Sequence, residues 1–300
     1  MLNHCPPQEF PMHLRGIYAP IVTPFNADES INYPVLEQLI EYLIANKIAG
    51  LVPGGTTGEV YAFTDQERLD IFQFVKEKVD GRVTLIAGTN SGATRDVIRY
   101  SVAAEAMGYD ALMVAVPPYS RPSQRELLAH LSAVAEAVKI PIVLYNFPWR
   151  AGTEVGFDVM DGLTKYAHVI GIKEASSDMS RVYGMLQRYG DRYQIICGSD
   201  DQALDYFLWG STAWIGGAAS CAPSQHHAVL EAALAGDFVT ARARMDKLMP
   251  LLRSVESGSY LQKVKLGCEL LGIPVGAPRR PLLPLTDDDR KEFERIFKAL

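Results

Sequence analysis

Apolar runs of strand length recur along the chain, each rich in Val, Ile or Leu and none alternating cleanly with polar residues. They are GIYAPIVTPF (16–25), GLVPGG (50–55), TLIAGT (84–89), ALMVAVPP (111–118), PIVLYN (141–146), VIGIKEAS (169–176), YQIICGSD (193–200) and AWIGGAAS (213–220). Continuous apolar character suits strands buried on both faces in a parallel sheet. The runs start roughly 20 to 34 residues apart, and helical period fills the gaps. Thr64 precedes DQERLDIFQFVKEKV with Glu67 three positions on, the pattern of a capping box, and Ser123 stands before QRELLAHLSAVAEAV.

Eight strand–helix units in series predict an α/β fold closed as a (β/α)8 TIM barrel, which typically takes about 250 residues. A doubly wound open sheet is the alternative, and it suits eight units without a boundary less well. After Ser220 the strands stop. Helical period over 224–236, 238–255, 259–271 and 286–299 predicts one helix to complete the ring and a C-terminal helical extension. The expected organisation is an N-terminal extension over 1–13, a barrel over 14–225, and helices completing and flanking it over 226–300.

Composition narrows the class. Hydrophobic residues are 48% and charged residues 21% of the 300, which excludes a disordered or fibrous chain. The longest apolar stretches fall short of the roughly 18 residues a membrane span needs. A net charge of -6 argues against nucleic acid or an anionic membrane as partner, since both need a concentrated basic surface. Cys5, Cys197, Cys221 and Cys268 are scattered without a C-x-x-C pair, so neither a disulfide framework nor a structural zinc site is expected. The opening MLNHCPPQEFPMHL has no basic segment followed by an apolar one. It is read as a poorly ordered extension and not as a secretion signal, and a cytoplasmic location is expected.

In a barrel, the chemistry sits at the C-terminal ends of the strands. Those ends carry Gly54-Gly55-Thr56-Thr57-Gly58-Glu59, Pro117-Pro118-Tyr119, Tyr145-Asn146 with Arg150 just beyond, Lys173, Gly198-Ser199-Asp200-Asp201 and Ile215-Gly216-Gly217. Lys173 is the most informative, because burying an unpaired ammonium in a barrel wall is costly. Strand alternation gives it Gly171 and Ala175 as small face-mates, with Ile170 and Ile172 pointing the other way. A low-dielectric pocket would lower its pKa and make it a nucleophile. A lysine snorkelling at the strand end, or paired with Glu174, is the plainer alternative. GGTTGE is either a carboxylate-binding nest or an ordinary strand-to-helix turn. Tyr119 and Tyr145 could relay protons or simply pack. Asp200 and Asp201 could ligate a cation, cap the next helix or bind substrate hydroxyls. His226 and His227 are adjacent on a helix and cannot share a metal.

GTTGE, PPYSRPSQ, YNFPWRAG and GIKEAS, in that order and spacing, resemble the dihydrodipicolinate synthase/N-acetylneuraminate lyase family over essentially residues 14–300. The resemblance implies a pyruvate-handling class I aldolase on a (β/α)8 barrel, a homotetramer built as a dimer of dimers, with no metal or organic cofactor. It implies that Lys173 forms the Schiff base and that Tyr145 shuttles protons. Thr56 would link Tyr145 to a second tyrosine, Tyr119, reaching across a dimer interface. Gly55, Thr56 and Thr57 would surround the pyruvyl carboxylate.

For the second substrate, the resemblance implies that Arg150 binds the carboxylate of aspartate semialdehyde. Ile215 and Asp200 would also line the substrate site. Trp149, larger than the small residue expected there, is expected to narrow or reshape the pocket. The turn lacks the histidines of lysine-inhibited synthases, and Pro118 replaces their allosteric-site tyrosine, so weak or absent lysine feedback is expected. The leading expectation is dihydrodipicolinate synthase-like condensation of pyruvate with aspartate semialdehyde. An aldolase, dehydratase or deaminase of a 4-hydroxy- or 3-deoxy-2-oxo acid is the alternative within the family. A non-catalytic barrel that only binds, or a metal-dependent aldolase, belongs to a different class.

Overall fold

The structure is a computed structural model and describes residues 12–300. Eight parallel strands close into a barrel in chain order: β1 (Gly16–Ala19), β2 (Gly50–Leu51), β3 (Thr84–Gly88), β4 (Ala111–Ala115), β5 (Ile142–Asn146), β6 (Val169–Glu174), β7 (Gln194–Cys197) and β8 (Ala213–Ile215). The open-sheet alternative is thereby removed, because β8 pairs with β1. The strands are shorter than the apolar runs that announce them. β1 ends at Ala19, before Pro20, and β2 ends two residues before Pro53, as expected of residues without a backbone donor.

Two apolar clusters sort the side chains. Tyr18, Val52, Met113, Val143, Ile170 and Ile196 fill the barrel interior. Ile17, Leu51, Leu112, Leu144, Ile172 and Ile195 face the surrounding helices. Thr64 and Ser123 both form complete capping boxes, opening the helices Asp65–Val79 and Gln124–Ala137. The backbone N–H of Leu14 donates to Gln194 Oε1 at 2.8 Å, and Gln194 Nε2 donates back to the Leu14 carbonyl at 3.0 Å, tying the entering chain to the barrel. The expected disorder of 1–13 falls mostly outside the described residues; Met12 packs on the interior cluster.

The helix Pro223–Leu234 packs on β1 and completes the ring, so the ring-closing element begins before residue 225. The helix Phe238–Glu256 packs on it, and the helices Tyr260–Leu270 and Asp287–Phe297 pack on Phe238–Glu256 and on each other. Among the described residues, no helix is long and apolar enough to cross a membrane. Cys197, Cys221 and Cys268 are buried free thiols.

One irregularity aims the key lysine. Ile142 pairs with Val169 but Val143 pairs with Gly171, so Ile170 is an extra residue in β6. Simple alternation would turn Ile170 away from the Lys173 face. The bulge instead puts Ile170 in the barrel interior while Ile172 stays outward, which corrects the sequence expectation for Ile170.

Candidate active site

A cavity of about 840 Å³ opens at the C-terminal ends of the strands. Lys173, Tyr145 and Asp200 line its buried part, Thr56 and Thr57 are half-buried in its wall, and Arg150 is exposed at its mouth. Of the residues expected at the site, Gly55 is buried within the turn just behind Thr56. Ile215 is buried in the interior cluster and does not reach the cavity surface.

Lys173 is 6% exposed, and its Nζ lies 4.2 Å from the centre of the Tyr145 ring. Burial pushes the ammonium down to about 8, and the negative charge of Asp200 opposes that shift only in part. Glu174 is not its partner. That carboxylate turns outward, accepts two hydrogen bonds from Asn146 Nδ2 at 2.9 Å and one from the Ser176 N–H, and pairs with Arg181 at 3.0 Å. Asn146 in turn accepts the Val155 N–H. This network fixes the strand ends on either side of Lys173 and leaves the amine free for chemistry. Gly171 does not leave ligand space, since an added Cβ would meet the Gln194 carbonyl oxygen at 2.5 Å. Ala175 does line the cavity.

The GGTTGE segment is a strained, heavily braced turn. Gly54 has φ +70°, and a Cβ there would meet the Phe72 ring at 2.7 Å. Glu59 adopts φ +63° and is buried. Thr23 Oγ1 donates to the Gly58 carbonyl at 2.8 Å. Arg68, buried on the helix Asp65–Val79, donates to the carbonyls of Gly88 at 2.6 Å and Asn90 at 2.9 Å and stacks 4.1 Å from the centre of the Tyr100 ring. It lies among residues of ordinary helical pattern, which hides its bracing role. Burial pushes its guanidinium down to about 10.

Asp200 is 3% exposed and accepts the Trp214 indole N–H at 2.8 Å, so its side chain does not cap the following helix. Burial raises its carboxyl above the ordinary range, countered by His226 and Lys173. His226 is buried, with ring Nδ1 2.7 Å from the Ala222 carbonyl. Among the described residues, no group of three or more His, Cys, Asp or Glu side chains gathers as a metal set.

One expectation is corrected. Trp149 does not shape the pocket: its side chain is 80% exposed, and the cavity is instead lined by its neighbours Phe147 and Arg150. Tyr119 is 99% exposed, has φ +70° and lies outside the cavity of its own chain. Other wall residues were not anticipated: Tyr61 beside the turn, and Glu256 and Tyr260 from the C-terminal helices. Partial burial together with Asp200 and Asp201 pushes the Glu256 carboxyl up to about 7, although the residue as a whole is exposed at the rim. Nothing in the helical periodicity distinguishes Glu256 or Tyr260 from other helix-end residues.

Comparison with known proteins agrees with this fold. The sequence pattern of the Dihydrodipicolinate synthetase family matches residues 13–300. The chain is 37% identical over 269 residues to a 4-hydroxy-tetrahydrodipicolinate synthase of Exiguobacterium sibiricum, covering 90% of this chain and 92% of the other. It is 36% identical over 287 residues to the synthase of Thermomicrobium roseum, covering 96% and 94% respectively. The solved 4-hydroxy-tetrahydrodipicolinate synthase of Methylacidiphilum fumariolicum superposes with a TM-score of 0.92 at 30% identity, over 96% of each chain. With fold and sequence in agreement along nearly its whole length, the chain belongs to the dihydrodipicolinate synthetase family.

Proposed function

We propose that the protein is a Schiff-base-forming lyase that activates pyruvate, or another 2-oxo acid, on Lys173 and condenses it with aspartate semialdehyde. The observation that carries this reading is the amine of Lys173. It is buried, depressed to about 8, unpaired with Glu174 and set beside Tyr145 in the cavity. The synthase names of the relatives support the choice of reaction.

The neutral amine adds to the keto carbon, and loss of water gives a protonated imine. The imine accepts the electron pair released when a C3 proton leaves, and the resulting enamine attacks the aldehyde carbon. Tyr145 stays protonated, because burial raises its hydroxyl well above the ordinary range, and it can pass a proton without competing for charge. Thr56 and Thr57 take the 2-oxo-acid carboxylate, with Gly55 behind them in the turn. Arg150 at the mouth takes the carboxylate of the second substrate, with Asp200 lining the space between and Ile215 packed behind that wall. The imine is itself the electron sink, so neither metal nor organic cofactor takes part in this scheme, and chelators leave turnover unchanged.

Tyr119, fully exposed on its own chain, is assigned to a second copy's site. Its hydroxyl there completes the relay through Thr56, within a homotetramer located in the cytoplasm. Lysine feedback is weak or absent, so millimolar lysine leaves turnover nearly unchanged. A second reading draws on Glu256, Asp200 and Asp201, three carboxyls around one cavity. They suit a substrate bearing hydroxyl or amino groups, as in cleavage, dehydration or deamination of a 4-hydroxy- or 3-deoxy-2-oxo acid.

The test is borohydride reduction with pyruvate present, followed by peptide mass spectrometry. A reduced pyruvyl adduct on Lys173, absent in Lys173→Ala, is expected. Failure of pyruvate and of longer 2-oxo acids to trap overturns the covalent reading. A trapped enzyme that ignores aspartate semialdehyde but turns over hydroxylated 2-oxo acids selects the second.

A further inference from the structure

Residues far apart in the chain converge on one point of the cavity wall. A methyl group built on Gly217, just beyond β8, would lie 1.8 Å from Tyr260 Oη and 3.0 Å from Thr57 Oγ1. The phenol therefore occupies the space that glycine leaves free, beside the threonine of the GGTTGE turn. All three residues line the cavity.

The helix that delivers Tyr260 is tied to the same turn a second time. Lys265, buried on that helix, places Nζ 2.7 Å from Glu59 Oε1 and also donates to the Ala277 carbonyl at 3.1 Å. Glu59, the last residue of the turn, accepts the Arg279 N–H at 2.8 Å through its other oxygen. Thr57 within the turn thus lies beside the first residue of the helix Tyr260–Leu270, and Glu59 at its end is paired with the second turn of that helix. Gly258 at φ +129° and Ser259 at φ +49° reverse the chain just before it. That reversal brings Glu256 and Tyr260 into one wall.

We propose that Tyr260 is a third hydroxyl of the 2-oxo-acid carboxylate site, added to Thr56 and Thr57 and held in place by the Glu59–Lys265 pair. The assignment rests on reading the cavity as a 2-oxo-acid site. A carboxylate offers about four lone-pair positions, so three hydroxyl donors can bind at once without crowding. Burial, with Asp200 and Glu256 nearby, keeps this phenol protonated at all ordinary pH, so it remains a donor. A neutral donor adds affinity for the carboxylate without a second cation that would raise the cost of the imine charge.

Tyr260→Phe keeps the ring and removes only the donor. The half-saturating concentration for cyanoborohydride trapping at Lys173 is measured with pyruvate and with methyl pyruvate, which keeps the ketone but lacks the carboxylate charge. The variant is expected to weaken pyruvate by ~10-fold or more, the usual effect of losing a hydrogen bond to a charged group. Methyl pyruvate should move by less than about twofold, with the maximal trapping rate unchanged. Gly217→Ala, whose methyl group displaces the phenol, should show the same selective loss. Equal shifts for acid and ester, or no shift, overturn the assignment while leaving the covalent reading intact. Absence of any 2-oxo-acid adduct on wild-type Lys173 overturns both.

Discussion

Lys173 and Tyr145 are register partners on β6 and β5, and the lysine nitrogen sits 4.2 Å from the centre of the tyrosine ring. Neighbouring strands alone would place the two residues side by side; the bulge at Ile170 places them with the lysine pointing inward. An electron-rich ring face is a mild host for an ammonium, but it does not replace water. Burial therefore wins, and the amine falls to about 8.

A pH profile follows. Below about 8 the neutral fraction drops tenfold per pH unit, so single-turnover imine formation should rise with unit slope and then level near pH 8. A rate still climbing at pH 10 would show an ordinary lysine.

The same shift has a stability sign. The folded pKa lies below the unfolded one, so between about 8 and 10.5 the unfolded chain binds more protons and stability rises with pH. Below 8 the full penalty of a buried ammonium is present. Lys173→Met should therefore stabilise the protein at pH 7 by roughly 1 to 3 kcal/mol, with less gain at pH 10. Denaturant titrations at both pH values measure this, and destabilisation at pH 7 would contradict it.

Tyr145→Phe retains the ring against Lys173 and loses only the hydroxyl assigned above to proton transfer. A fall in kcat of roughly 10²- to 10⁴-fold is expected, with a much smaller change in the KM for pyruvate. Retention of more than a tenth of kcat would assign Tyr145 to packing.

Glu256 should be visible in the pH dependence of the second substrate. Its carboxyl is pushed up to about 7, so kcat/KM for the electrophile should bend near that pH. In Glu256→Gln the bend should vanish. An unchanged profile would place Glu256 outside the reaction.

The Glu59–Lys265 pair is buried on both sides. Lys265→Met or Glu59→Gln alone leaves a charge without its partner, and a loss of about 3 to 5 kcal/mol is expected from denaturant midpoints. The double change Glu59→Gln/Lys265→Met should cost less than either single one. Additive losses would mean the two charges are not coupled.

Subunit mixing tests Tyr119. If its hydroxyl serves a neighbour's site, co-expressed Tyr119→Phe and Lys173→Ala chains should regain activity in mixed oligomers. Each Lys173→Ala chain then supplies the tyrosine that its partner lacks. Activity no greater than the average of the two parents would remove Tyr119 from the site.

Much of this was legible in advance because it is written locally. The apolar runs, the capping pairs at Thr64 and Ser123, and an isolated lysine inside VIGIKEAS each express a preference of a few consecutive residues. Motif order added Thr56, Tyr145, Arg150 and Asp200, all of which line the cavity. Ile215 and Gly55 were placed near the site but not at its surface, because strand-end position does not say which side chain reaches the opening. Trp149 failed for a related reason: size predicts pocket volume only when the side chain turns inward, and this one turns to solvent.

The sequence by itself determined the class of fold and singled out Lys173 as a candidate, since periodicity and the cost of a buried charge act through near neighbours. Tertiary structure alone decided which residues share the cavity with it. Glu256 and Tyr260 lie more than 80 residues beyond Lys173 on helices of ordinary pattern, and only closure of the barrel and docking of those helices bring them to its wall. Contacts of that range depend on how elements pack and not on the preference of any segment, so local pattern cannot encode them legibly.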